Sequence, residues 1–152
     1  MKLAFSIVLF AFLFGCKSEE ANNNYVAYAS LEENSIMQIP EFQDSESYKR
    51  GKDVYLDFCI TCHLADGKGI LGTFPPLDGS NWLTEKREES IRAVKYGLQG
   101  PIEVNGENYN MAMAPLGLTD QEVADVMNYV MNSWSNSSKK PVTLEEVKAI
   151  EK

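Results

Sequence analysis

Two cysteines three positions apart, with a histidine directly after the second, form the run Cys59-Ile60-Thr61-Cys62-His63. On one helical turn the two thiols reach the same side. Each can then add to one of the two vinyl groups along a single haem edge, and the neighbouring imidazole is left to bind the iron. Two other chemistries use a Cys-x-x-Cys pair: a thioredoxin-like dithiol and half of a zinc site. Zinc takes four ligands, and the chain has three cysteines, no second Cys-x-x-Cys and a single histidine, His63. A redox dithiol has no use for that histidine. The bland alternative is a buried cysteine pair beside a structural histidine, since short motifs also match by accident.

The elements that must position this run can be read on either side of it. Ser45 or Ser47 caps a first helix running to about Cys59, with Val54, Tyr55 and Phe58 on one side, and this helix delivers the motif. Gly51 is awkward inside that helix unless a second helix crosses closely there. Residues 64–83 are rich in glycine, carry Pro75-Pro76 and lack helical period, so they read as a loop. Thr84 caps a helix to about Tyr96, and Gly97 stands where it ends. Residues 97–117 read as loop again, with glycines and prolines around Met111 and Met113. Thr119-Asp120-Gln121-Glu122 is a capping box opening a helix to about Trp134, whose Val123, Val126, Met127, Val130 and Met131 keep helical period. Asn136-Ser137-Ser138 then reads as a linker to a loosely attached tail helix capped at Thr143.

Over about residues 45–135 the chain resembles the class I cytochromes c. Beyond the cysteine motif, the resemblance rests on Asp66-Gly67-Lys68-Gly69, on Phe74-Pro75-Pro76-Leu77 with Gly79-Ser80, and on Tyr109-Asn110 leading to Met113-Ala114-Pro115, all in the family's order. Leu64 departs from it, because many bacterial members carry glycine there. The resemblance implies an all-α class I cytochrome c fold, three to five helices wrapped around one covalent haem c. It makes His63 one axial ligand and Met113 the other. Met111 remains an alternative, because Met-Ala-Pro is one residue longer than the family's Met-Pro. It matches Pro76 to the residue whose carbonyl accepts a hydrogen bond from the axial histidine, a contact that orients the ring. Gly51 and Tyr55 match the pair that packs on Val126 and Tyr129 of the last helix. Trp82 is left either donating to a haem propionate or sitting in plain core. His/Met ligation raises the reduction potential and leaves no position for substrate, so the implied role is electron transfer and not catalysis. An open-site haem sensor or minor haem enzyme, with no methionine on the iron, is the alternative.

Composition sets the remaining bounds. At 152 residues, 44% hydrophobic and 24% charged, the chain has the balance of an ordinary globular protein, and some ninety residues of domain are few for a self-sufficient core, so the haem-free form is expected to fold poorly. A net charge of −8 excludes nucleic acid as a partner and favours redox donors and acceptors with a basic docking face. Met1-Lys2 followed by the apolar run Leu3 to Phe14 is too short to span a bilayer and has the pattern of an export signal. The run closes in Leu13-Phe14-Gly15-Cys16, which resembles a bacterial lipobox, and an ordinary signal with a stray cysteine is the other reading. The expected organisation is a signal peptide over 1–15, an acylated Cys16 with a flexible tether to 44, a cytochrome c domain over 45–135, and a linker with a short helix over 136–152. Such a protein is exported and anchored by lipid to a bacterial membrane, on the periplasmic side.

Overall fold

The computed structural model describes residues 40–43 and 45–152; the expected signal segment, Cys16 and residues 17–39 of the expected tether lie outside them. A short turn of helix, α1 (Pro40–Gln43), precedes α2 (Glu46–Val54). Ser45 is the cap, its hydroxyl accepting from the Tyr48 amide, while Ser47 donates instead to Asp125. The helix then loosens into a π turn, Tyr55–Cys59, before α3 (Ile60–His63). The wider turn shifts the phase of the side chains that follow it. Tyr55 is buried while Phe58, expected on the same apolar side, is 47% exposed. Insertions of this kind recur at functional sites, and here one ends on Cys59, the first residue of the cysteine motif.

Helices α4 (Asn81–Glu85) and α5 (Arg87–Tyr96) replace the single helix expected from Thr84. The Thr84 hydroxyl donates back to the Asn81 carbonyl inside α4, so it is not free to cap, and the chain breaks at Lys86. Gly97, at φ 82°, ends α5 as expected. The following stretch is not all loop. Strands β1 (Ile102–Val104) and β2 (Glu107–Tyr109) form an antiparallel hairpin in which Ile102 pairs with Tyr109 and Val104 with Glu107. Its two turn residues, Asn105 and Gly106, both have positive φ, the form whose twist suits a two-residue hairpin.

Helix α6 (Asp120–Val130) opens with the expected capping box, Thr119 and Glu122 satisfying each other's amides, and every residue from Val123 to Val130 is buried. Helix α2 crosses it at Gly51. A Cβ there would stand 1.9 Å from the Asp125 carbonyl oxygen and 2.9 Å from the Tyr129 Cβ, so no larger residue fits this crossing. Tyr55 and Tyr129 meet beside it with ring centroids 5.3 Å apart.

The tail corrects the expectation of loose attachment. Helix α7 (Leu144–Ala149) and its flanks place Val142, Val147 and Ile150 in one core cluster with Ile91, Val123 and Met127. Arg87 holds Glu146 through two hydrogen bonds, and Lys95 Nζ donates to the Val147 carbonyl. The cause lies in α6, which is apolar on two faces: one meets α2 and the other needs the tail to cover it.

Candidate haem-binding site

Between these elements lies an apolar cleft with about 670 Å³ of empty space, its open mouth included. Cys59 and His63 enter it from the motif, Trp82 from α4, Val94 from α5, Met113 from the loop before α6, and Met127 from α6 itself. The hairpin contributes Ile102 and Val104. That contribution was missed in the sequence, although Asn105-Gly106 is the dipeptide that favours such a turn.

Both cysteines are free and half-buried. Burial, with a smaller contribution from Cys62, pushes the Cys59 thiol up to about 11. At neutral pH it is a protonated thiol, the opposite of what a dithiol oxidoreductase needs. Among the described residues no three or more His, Cys, Asp or Glu side chains gather where they could hold a bare metal ion.

His63 Nδ1 lies 3.0 Å from the Pro75 carbonyl oxygen. The acceptor is therefore Pro75 and not Pro76, one residue earlier than the resemblance implied. The Gly67 carbonyl takes the amides of both Leu77 and Asp78, which fixes the chain beyond the proline pair and turns the Pro75 carbonyl to the ring. Pro76 lines the cleft without accepting this bond. Burial lowers the imidazole's pKa, and the Pro75 carbonyl opposes that only in part. A neutral ring donating from Nδ1 keeps the Nε2 lone pair for a metal.

Met113 is held by its backbone. Its amide donates to the Leu98 carbonyl at 2.9 Å and its carbonyl accepts from the Leu98 amide at 2.8 Å, with Gly97 packed so closely that a Cβ would stand 2.7 Å from the Met113 oxygen. Met111 is 55% exposed and takes no part in the cleft wall. Met127 reaches the wall from α6, packed among Ile91, Val123 and Val147.

Trp82 Nε1 is, among the described residues, the one buried side-chain nitrogen or oxygen without a hydrogen-bond partner. Buried polar groups are nearly always paired, so an orphaned donor on an apolar wall fits an acceptor carried by a group that fills the cleft, as a haem carboxylate would be. The orphaned donor, the apolar wall, two free thiols and a neutral imidazole together suit a haem. When bound, it supplies a one-electron ferric/ferrous couple. This chain's residues would hold it through the two thiols, orient it through His63 and keep water from it with the apolar wall.

Comparison with known proteins agrees. Residues 48–134 match the family model for cytochrome c. The chain is 41% identical over 109 residues to cytochrome c-552 of Thermus thermophilus, covering 66% of this chain and 82% of that one. It is 32% identical over 102 residues to the cytochrome c subunit of the quinone alcohol dehydrogenase of Gluconobacter oxydans, and 34% identical over 109 residues to the gluconate 2-dehydrogenase cytochrome c subunit of Pantoea cypripedii. Those alignments cover 66% and 67% of this chain but only 21% and 24% of the longer subunits. The chain belongs to the cytochrome c family, as a class I member that carries one covalent haem c and transfers electrons.

Proposed function

We infer that this protein is a lipid-anchored, exported electron carrier whose single haem is attached through Cys59 and Cys62 and ligated by His63 and Met113. The observation that carries the ligand assignment is the contrast between the two methionines. Met113 lines the cleft shared by Cys59 and His63 on a backbone pinned to Leu98, whereas Met111 lies outside. A thioether ligand supplied by Met113 would favour ferrous iron and leave no position for substrate, as an electron carrier requires. The names of the dehydrogenase cytochrome subunits support a dehydrogenase as the redox partner. The excess of acids over bases supports a basic face on that partner. Anchoring rests on Leu13-Phe14-Gly15-Cys16 and the apolar run before it. Among the described residues no helix is long and apolar enough to cross a membrane.

Methionine variants test this reading. Met113→Leu should open the ferrous protein to carbon monoxide and lower its potential, while Met111→Leu does neither. The reverse pattern moves the ligand to Met111. Carbon monoxide binding by the wild-type protein would favour the open-site alternative.

A further inference from the structure

Leu64, directly after His63, has φ 64° and ψ 166°, a backbone region that is essentially confined to glycine. A leucine stays there only if its surroundings hold it, and two buried or half-buried aromatic rings do so. The Tyr55 hydroxyl donates to the Leu64 carbonyl at 2.6 Å, and Trp134 Nε1 donates to the next carbonyl, that of Ala65, at 3.0 Å. The rings pack edge to face with centroids 5.4 Å apart. Gly67 lies against the indole, where a Cβ would come within 2.7 Å of three ring carbons. From this held segment the Gly69 amide returns to the His63 carbonyl, and the Gly67 carbonyl receives the Leu77 and Asp78 amides. The loop so tied presents the Pro75 carbonyl to His63 Nδ1.

We propose that Tyr55 and Trp134 are positioning residues: they clamp Leu64 to Gly67 on a path the leucine disfavours, and through that loop they fix the orientation of the His63 ring. The inference rests on reading His63 as the iron's ligand. Released from the clamp, Leu64 relaxes towards negative φ, the loop shifts, and the bond from Nδ1 to Pro75 loosens. A glycine at 64 has no such tendency, so the clamp should matter much less to it.

His63 is the chain's single histidine, so ¹⁵N-histidine labelling of the ferrous holoprotein gives one imidazole whose Nδ1 proton can be followed. Tyr55→Phe keeps the ring and removes the hydroxyl. It should speed exchange of that proton with solvent about tenfold, the scale of one net hydrogen bond. Trp134→Phe should act in the same direction. In a Leu64→Gly background the effect of Tyr55→Phe should fall below about threefold, since the strain is gone. Equal acceleration in both backgrounds overturns the proposal. So does a lowered unfolding midpoint with unchanged Nδ1 exchange, which is what a purely structural role would give. The ferric wild-type protein tests the ligand reading separately: His63 ring protons left unshifted by the iron would end that reading, while the exchange series still decides the clamp.

Discussion

Asn128 and Val142 exchange a pair of hydrogen bonds, Asn128 Nδ2 donating to the Val142 carbonyl at 2.9 Å and the Val142 amide donating to Asn128 Oδ1 at 2.7 Å. The pair fastens the tail to α6 one residue beyond Met127, which faces both the tail core and the cleft. The tail, which lies beyond the residues 48–134 matched to the family, thus backs the wall of the cleft.

Asn128→Ala would leave the buried amide and carbonyl of Val142 unpartnered. We predict a loss of about 2–4 kcal/mol in denaturant unfolding of the holoprotein. A loss below about 0.5 kcal/mol would show that the tail lies outside the cooperative core.

Acid should weaken the α2–α6 crossing. Burial pushes the Asp125 carboxyl up, but hydrogen bonds from Arg50, Ser47 and Gln121 and the charge of Arg50 outweigh it and hold the group below the usual carboxylate value. A carboxyl depressed in the folded state contributes stability that is present above its unfolded value and lost as pH falls through the folded one. Stability should hold from neutral pH down to about 4 and fall below that. Asp125→Asn should lower stability at pH 7 and flatten the acid fall. Glu146, held low by Arg87, keeps part of that fall in the variant. Urea midpoints at pH 7, 4 and 3 check this, and parallel curves for the two proteins would contradict it.

Much of this was legible in the sequence because the deciding signals are local. The haem-attachment reading follows from five adjacent residues, and the capping box at Thr119 and the crossing at Gly51 follow from short spacings. What was missed depends on tertiary partners. Thr84 looks like a cap until its hydroxyl is seen to bond within α4, and the Pro75 carbonyl is chosen over Pro76 by amides that reach Gly67. The tail looked loose because the second apolar face of α6, formed by Val123, Ala124 and Met127, is indistinguishable in sequence from the face turned to α2.

Anchoring and docking have separable readouts. On the proposed reading, Cys16→Ser should release a soluble protein with an unchanged haem spectrum, since the proposed anchor residue is far from Cys59, Cys62 and His63 in the sequence. Recovery of the wild-type protein in the soluble fraction without detergent would contradict the anchor.

Electron transfer to a basic partner should slow as ionic strength rises, because the Debye length shrinks from about 10 Å at 0.1 M to about 3 Å at 1 M. Loss of residues 1–15 leaves 13 bases against 22 acids, or −9, for that partner to meet. A rate that is flat or rising with salt would point to an apolar docking face.

The claim on which the rest depends is covalent attachment at Cys59 and Cys62, and the intact mass of the unfolded protein tests it most directly. The wild-type polypeptide should carry the mass of one haem after denaturing extraction, and the Cys59→Ser, Cys62→Ser double variant should carry none. Haem that survives extraction in the double variant, or its absence from the wild-type protein produced with a haem-attachment system, would contradict the account.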